Sequence, residues 1–550
     1  MTFSYVDFCL YSNFDLAVRR PSSTRLLEPL KHPGVPTIAV SLEHGTNTPN
    51  SYAHFPMDGV FVQKTDALAL ALASRQFREP ALDALWHSML SVKPLLDFLI
   101  PPSEAVRYME DSSAYSFSGI MACAQWMSRA DWSRYNYYAR RVRYIKISEG
   151  DDMVTTFCFH ALSVCSSHPT LLPNLRFLHW GYFVAHQAFY HLPLFVGSRL
   201  TTLALDMEIL QASDITALVS VFSTVRISCP SLNELVLLNQ FHETIGEGNA
   251  GVTELLLSTF PSLKFVDIRC ETQEDTWACL AKMPQLRSLK STFLPGEEGT
   301  DDPAYPMGDA LKPKQDNFVS LEHLTVVTKN IIGFIKLLAS LSPPRNLKTL
   351  DIRTLKCPTA SEIEIFAKVL PSCCLPTTLT TLCLASARTG LCDALDSAPP
   401  LPASTLFAPF LQFRNMQCFT MRWCAVELDN AFLNNVAVAW TQLRSLNLYG
   451  SDHQLHSPTT TVQGLIPLAK HCHRLERLLI PVANLDCDVP VQEFPDGGRK
   501  ASVDSVVDLI LRGGNMDEPS ETATKLKQFL KEVFPGWTRR LRQPRFIEAS

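Results

Sequence analysis

A short apolar pattern recurs along most of this chain, and it constrains the fold more than any other feature. Apolar residues occupy the first, fourth and sixth positions of each copy, as in Leu232, Leu235 and Leu237. One such segment cannot bury its own apolar side, so neighbouring copies have to stack and share a core. Successive copies start 23 to 37 residues apart, which is a spacing typical of proteins built from one small repeated unit. The twelve copies start at Val142, Leu175, Leu200, Leu232, Leu263, Leu286, Leu321, Leu347, Leu379, Met416, Leu443 and Leu475.

Each copy predicts a short strand, and the segments between copies predict helices. Because side chains alternate between the two faces of a strand, the fourth and sixth residues point into the same core. Leu218, Phe222 and Val225 form a helical stripe ahead of the copy that starts at Leu232. Prolines such as Pro230 and Pro261 end the helix and favour an extended approach to the next strand.

This alternation of strand and helix resembles the leucine-rich-repeat family over residues 142–480. The resemblance implies an α/β fold, a leucine-rich-repeat solenoid in which a curved parallel sheet lines the concave side and helices pack outside. It also implies a protein that works by binding another protein.

Composition narrows the class of protein further. With 46% hydrophobic and 19% charged residues, the 550-residue chain resembles folded proteins. Its net charge of -5 lacks the basic excess of a nucleic-acid binder, so no nucleic-acid partner is expected. The 16 cysteines form no Cys-x-x-Cys pair, which favours reduced thiols in the cytoplasm or nucleus. Since the sequence shows neither a signal peptide nor an apolar run of about 18 residues, no membrane partner is expected.

The segment ahead of the repeats, residues 66–86, reads DALALALASRQFREPALDALW. It resembles the second half of an F-box as found in fungal F-box and leucine-rich-repeat proteins. Further likeness lies in Asp131-Trp132 and in residues 138–142. The resemblance implies docking on a Skp-type adaptor of a cullin-based (SCF-type) ubiquitin ligase, with a protein substrate held by the repeats. The residues that would dock the adaptor are Leu70, Phe77, Pro80, Leu82, Leu85 and Trp86.

Two interpretations of this segment stay open. An F-box usually begins with a Leu-Pro pair and a first helix, and residues 1–65 contain no Leu-Pro pair. Residues 66–100 could therefore serve only as a helical cap that seals the first repeat. In that case the chain is a leucine-rich-repeat interaction scaffold without a role in ubiquitin ligation.

The sequence predicts five regions. Residues 1–65 form a poorly defined N-terminal segment, and residues 66–100 form the partial F-box-like helices. A helical linker over 101–141 leads into the repeats of 142–480. Residues 481–550 are expected to form a loop and a C-terminal helical cap.

Motifs that could carry chemistry are weak. Gly246, Gly248 and Gly251 match a dinucleotide-binding spacing, but an isolated match also fits an ordinary loop. His471-Cys472-His473 could hold a metal, yet Cys472 has the same repeat position as Cys229 and is expected to be buried in the core. We therefore expect no catalytic residue, no metal and no cofactor, and an enzyme that uses a cysteine or a nucleotide site is a remote alternative.

Outward-facing strand positions predict the partner-binding surface. Arg269, Arg353 and Arg422 each follow the last apolar residue of a copy, and a row of arginines could hold acidic or phosphorylated side chains. The alternative is an ordinary solvated surface with scattered charges. The full set of predicted concave-face residues is Arg269, Arg353, Arg422, Lys264, Lys348 and Arg444.

Overall fold

The structure is a computed structural model. The chain divides into a unit of residues Met1–Phe61, which lies outside the described residues, and a unit of residues Val62–Ser550. The described residues are 67–99, 117–147, 153–166, 170–181, 186–206, 215–238, 249–272, 274–293, 317–339, 344–386, 401–423, 426–448, 459–482 and 508–512, with 528, 530 and 534. The predicted segment 1–65 and most of the predicted C-terminal cap therefore lie outside them.

A single parallel sheet dominates the second unit. Within the described residues it has 14 strands, and apart from the small strands β11 and β13 they follow one another in chain order. Each of the twelve predicted copies supplies one strand, so the predicted α/β leucine-rich-repeat architecture is confirmed. Two strands, β1 and β16, extend the sheet beyond residues 142–480 and were not predicted.

The strands are β1 Ser88–Met89, β2 Tyr144–Ile147, β3 Phe177–Trp180, β4 Thr202–Asp206, β5 Glu234–Leu238, β6 Phe265–Thr272, β7 Ser288–Phe293, β8 His323–Thr328, β9 Thr349–Thr354, β10 Thr381–Ser386, β11 Leu401–Pro402, β12 Cys418–Arg422, β13 Val426–Glu427, β14 Ser445–Asn447, β15 Arg477–Pro481 and β16 Asp508–Arg512. The α-helices cover residues 67–73, Arg75–Trp86, Lys93–Leu96, Phe117–Arg129, Trp132–Ala139, Met153–Cys165, Ile215–Ser228, Asn249–Thr259, Glu274–Ala281, Ile331–Ala339, Ala360–Cys373, Ala403–Leu406, Asn430–Ala439 and Leu465–His471. Short 3-10 helices cover His186–Leu194, Ala408–Gln412 and Val462–Gly464.

Neighbouring strands pair in register, so equivalent residues of successive repeats lie side by side. Leu350 pairs with Leu324 on one side and with Leu382 on the other, and all three are fully buried. The residue after each of them, such as Asp351, points to the opposite face of the sheet. The sheet therefore has a buried face, against which the helices pack, and a second face that we call the concave face.

Local sequence signals fix where several helices begin. Thr359 caps the helix Ala360–Cys373 and forms a reciprocal capping box with Glu362. Asp429 accepts a hydrogen bond from the backbone N–H of Phe432 at the start of the helix Asn430–Ala439. Inside these helices, Phe366 and Leu433 are fully buried against the sheet.

A pair of substitutions tests the register. Leu446 is fully buried, whereas Arg444, two residues earlier, is exposed. We expect Leu446→Ala to lower the free energy of unfolding by about 2–5 kcal/mol, because it removes packing atoms and leaves a cavity. Arg444→Ala is expected to change it by no more than about 0.5 kcal/mol. Urea denaturation of the two variants measures both changes. An equal loss in the free energy of unfolding in the two variants would contradict the register.

Candidate functional site

Residues that precede the strands form one border of the concave face, which we call the leading edge. Along this edge, the backbone N–H of each residue donates to the carbonyl oxygen of the equivalent residue one repeat earlier, at 2.7–3.0 Å. The bonds hold the side chains about 5 Å apart from one strand to the next. The residues of this ladder are Arg143, Arg176, Thr201, Asn233, Lys264, Arg287, Glu322, Lys348, Thr380, Gln417, Arg444 and Glu476.

The leading edge is basic although the chain as a whole is acidic. Its ladder has six cationic and two anionic side chains, whereas the net charge of the chain is -5. Three of the predicted partner-binding residues, Lys264, Lys348 and Arg444, lie here. The Nζ of Lys348 lies 2.6 Å from an oxygen of Glu322, and this hydrogen bond lowers the pKa of the Glu322 carboxyl.

Two arginines predicted for the concave face are paired with aspartates of their own strands. The Nη2 of Arg269 lies 3.1 Å from Oδ2 of Asp267, and the Nη2 of Arg353 lies 2.9 Å from Oδ2 of Asp351. Each pair is two residues apart on one strand, so both side chains point to the same face. A ligand carboxylate at either arginine would have to compete with the aspartate already bound to it.

Lys290 joins these arginines in what we call the central cluster, made of Asp267, Arg269, Lys290, Asp351 and Arg353. Its Nζ lies 3.5 Å from Oδ2 of Asp267. Burial, together with the nearby Arg269 and Arg353, lowers the pKa of the Lys290 ammonium group against the opposing effect of Asp267. Three cations therefore share two carboxylates in the middle of the concave face.

The three predicted arginines do not form one continuous row. Arg353 and Arg422 are both partners of Ala385, so they lie two strands apart in one row. Arg269 falls where the pairing of β6 with β7 shifts, between Ile268 and Glu271. This bulge takes Arg269 out of the register that Arg353 and Arg422 share.

Cys383 lies beside Asp351 on the concave face, on the neighbouring strand. Burial and then the Asp351 carboxylate raise the pKa of its thiol to about 12. The thiolate is the nucleophilic form of cysteine. Cys383 therefore lacks the activation that catalytic cysteines have.

Alkylation tests this placement. Because the raised pKa leaves very little Cys383 thiolate at pH 8, iodoacetamide is expected to modify it far more slowly than an unperturbed cysteine. Asp351→Asn removes the neighbouring negative charge and is expected to speed the reaction. Asp267→Asn removes a carboxylate from the same face but four strands away, and should leave the rate unchanged. Mass spectrometry of the peptide that contains Cys383 measures the rate of modification. Fast modification of Cys383 in the unsubstituted protein would contradict the placement.

Part of the concave face is covered and does not offer a free surface. Ala204, Val236 and Leu238 are almost completely buried there and form a small cluster, separate from the main core, and the partly exposed Phe177 packs against its border. Next to this cluster, the rings of Phe177 and Tyr144 stack with their centres 4.3 Å apart. The surface open to a partner therefore lies along the leading edge and around the central cluster.

The six residues predicted to dock an adaptor fall into two groups. Leu70, Phe77 and Pro80 are exposed, and Leu82, Leu85 and Trp86 are partly buried. The Trp86 ring stacks on Tyr138 at 4.6 Å between ring centres. Leu70 and Phe77 belong, with Leu68 and Leu72, to a set of exposed apolar side chains within residues 68–77, which we call the N-terminal apolar patch.

Arg141 fastens the helix Arg75–Trp86 to the first repeat. Its guanidinium group, only 5% exposed, forms ion pairs with Glu79 and Asp83 of that helix. It also lies over the ring of Tyr137, at 4.5 Å from the ring centre. Burial alone would lower the pKa of Arg141, but the hydrogen bonds to Glu79 and Asp83 outweigh it and raise that pKa.

Removal of this clamp should loosen one helix and spare the repeats. We expect Arg141→Gln to speed hydrogen exchange of residues 75–86 because Glu79 and Asp83 lose their cationic partner. Arg78→Gln, an exposed change on the same helix, should not have this effect. Acid should mimic Arg141→Gln: hydrogen bonds from Tyr137 and then Arg141 lower the pKa of Glu79, so its contribution persists at neutral pH and is lost as pH falls through that lowered pKa. Unchanged exchange in Arg141→Gln would contradict the clamp.

The other motifs singled out in the sequence give no sign of a reactive centre. Cys472 is buried, and burial raises the pKa of its thiol to about 12. Within the described residues, no group of three or more His, Cys, Asp and Glu side chains could hold a metal ion. All twelve cysteines in this part of the chain are free thiols. Gly246 and Gly248 lie outside the described residues, and Gly251 lies in the helix Asn249–Thr259.

Sequence reasoning missed Arg143, Arg199 and the clamp residue Arg141, and it did not single out Arg176 as a site residue. A signal for Arg143 and Arg176 was present, because each follows the first apolar residue of its copy, as Lys264 and Lys348 do. Arg141 gave no such signal. Its partners lie 58 and 62 residues earlier in the chain, and one sequence does not show which distant charges meet.

Comparison with known proteins gives only distant likeness. No protein-family profile and no curated protein sequence matches the chain. A leucine-rich repeat-containing protein, LegL7 from Legionella pneumophila, is 13% identical over 64% of this chain and 94% of its own, with a TM-score of 0.28. A protein from Bacteroides fragilis is 12% identical over 56% of this chain and 65% of its own, with a TM-score of 0.24. In the described part of the chain, no helix is long and apolar enough to cross a membrane.

Proposed function

We propose that this protein is a non-catalytic, substrate-recruiting subunit of a cullin-based ubiquitin ligase. Its N-terminal apolar patch docks a Skp-type adaptor, and the open part of its concave face holds a protein substrate. The observation that carries this proposal is the patch itself. Four large apolar side chains are 48–80% exposed within residues 68–77, and one of them, Phe77, lies on the helix that Arg141 joins to the first repeat.

The clamp at Arg141 supports this role. An exposed apolar cluster on a soluble surface is costly and commonly marks an interaction site. Because Arg141 and Trp86 join the helix to the first repeat, a bound adaptor would be held at a fixed position relative to the concave face. A substrate-recruiting subunit needs such a connection, since the substrate has to be presented to the rest of the ligase.

A scaffold without a ubiquitin role is the second candidate, and one observation favours it. Leu82, Leu85 and Trp86 belong to the F-box-like set but are partly buried, and Trp86 packs against the main core. This half of the set acts as a cap for the repeats. The two candidates differ in whether the exposed half binds an adaptor.

Adaptor binding separates the candidates. We expect the purified chain to bind a recombinant Skp-type adaptor, and the double variant Leu70→Asp, Phe77→Asp to bind about 30-fold more weakly, since the lost apolar contacts are expected to contribute about 1 kcal/mol each. The matched control is Val164→Asp, Ile227→Asp, which places two aspartates at other exposed apolar positions. Isothermal titration calorimetry measures the affinities.

Two results would reject the ligase role. One is no binding of the unsubstituted chain at micromolar concentration. The other is an equal loss of affinity for the adaptor in the patch variant and the control variant. Either result would leave the interaction scaffold as the better account.

A further inference from the structure

Three arginines lie together at the start of the leading edge, at the repeats nearest the N-terminal apolar patch. The backbone N–H of Arg176 donates to the carbonyl of Arg143 at 2.8 Å, and Thr201 in turn donates to Arg176 at 2.9 Å. Arg199 precedes Thr201 by two residues. Arg143 and Arg176 therefore lie on adjacent rungs, about 5 Å apart, and Arg199 lies in the turn ahead of the third rung.

Neutral groups hold these side chains in place. Nη1 of Arg199 donates to Oδ1 of Asn174 at 2.7 Å, and Nδ2 of Asn174 donates to the carbonyl of Arg140 at 2.7 Å. The same carbonyl accepts a bond from Nη1 of Arg143 at 2.7 Å. Two of the three arginines are thus oriented by amide and carbonyl oxygens, which carry no net charge.

None of the three arginines forms an ion pair among the described residues, although the charge of Asp83 partly offsets that of Arg143. Among the described residues, the ion pairs involve Arg141, Arg269, Lys290, His323, Lys348, Arg353, Lys368 and Arg444, and none of these three arginines. Asp83 is already bonded to Arg141, and Glu234 is bonded to the hydroxyl of Thr202. The central cluster has the opposite arrangement, with an aspartate at each arginine.

The pKa values of Arg143 and His87 show that the positive charges lie close enough to repel one another. Burial, followed by the charges of Arg176 and Arg199, lowers the pKa of the Arg143 guanidinium group against a smaller opposing effect of Asp83. Burial, followed by Arg143 and Arg176, also lowers the pKa of His87 on the adjoining strand end. An anion placed among these groups would relieve the repulsion.

An aromatic surface adjoins the arginines. Tyr144 follows Arg143 and Phe177 follows Arg176, and their rings stack with an angle of 11° between planes. Tyr144 and Phe177 are partly exposed on the concave face. A ligand at the arginines would therefore also meet a flat apolar surface.

We propose that Arg143, Arg176 and Arg199, with the stacked rings of Tyr144 and Phe177, form a binding site for an acidic segment of a protein partner. The segment would carry two or three closely spaced carboxylate side chains, which match the guanidinium groups in charge and geometry. This deepens the proposed function, because it gives the chemical class of the recruited protein.

Charge beyond the site favours a short peptide run over a long polyanion. Glu322 and Glu476 interrupt the leading edge further along, and Asp267 and Asp351 lie beside it. A nucleic acid that followed the edge would meet these carboxylates, whereas a run of two or three acidic residues would not. The chain also has a net charge of -5, which repels long polyanions.

The test uses the full chain and defined probes. One fluorescein-labelled peptide has four glutamates flanked by Gly-Ser and a tyrosine, the second has glutamines in place of the glutamates, and the third probe is a single-stranded RNA of twelve uridines. The variant is Arg176→Gln, Arg199→Gln. The matched control is Arg414→Gln, Arg474→Gln, which removes two exposed charges from the turns that precede β12 and β15, near the other end of the sheet.

We expect the glutamate peptide to bind in fluorescence anisotropy and the glutamine peptide not to bind. The Arg176→Gln, Arg199→Gln variant should weaken binding roughly tenfold, and the control should change it less than twofold. Higher salt should weaken binding as well, because these charges are exposed.

Three results would each overturn the proposal. They are an equal loss of peptide affinity in the variant and the control, no binding of the glutamate peptide, and tighter binding of the RNA than of the glutamate peptide. Adaptor capture is measured separately and depends on other residues, so failure of the ligase role would not be mistaken for failure of this site.

Discussion

Shared burial between successive strands is the interaction on which the rest of this structure depends. Leu350 and Ile352 lie between equivalent residues of both neighbouring strands, and no atom of either side chain is exposed. A shift of one residue in the pairing would move Asp351 into the core and Leu350 to the surface. The free-energy cost of such a shift fixes the register, and the register in turn fixes every side chain on the concave face.

Because the register fixes the spacing of side chains on the concave face, it also decides which charged groups can pair with each other. In the central cluster, the alternation of a strand places Asp267 with Arg269 and Asp351 with Arg353, so the charges are largely compensated within the protein. At the start of the leading edge, Arg143 and the neighbouring Arg199 are instead held by neutral groups, which carry no charge to offset theirs. An acidic partner gains less binding free energy at an arginine that is paired with an aspartate, because that ion pair has to break first.

Much of the fold could be predicted from the sequence because its signal is local. Every predicted copy became a strand, since each pattern falls within six residues. The bulge at Arg269 was not predictable, because Cys270 continues the inward alternation of Ile268 and conceals the shift. The pairing of Asp267 with Arg269 was readable in principle, as residues two apart share a face. The strand Ser88–Met89 and the contacts of Arg141 depend on distant partners, which spacing along one chain does not reveal.

Disulfide trapping tests the in-register parallel ladder most directly. Thr381 pairs with Cys418 on the neighbouring strand, so Thr381→Cys places two thiols on directly opposed residues, at a Cα separation that a disulfide spans. Under mild oxidation, peptide mapping should find a bond between position 381 and Cys418 in Thr381→Cys, and much less in Thr380→Cys. Efficient bonding of Cys418 with position 380, or with neither position, would contradict the account.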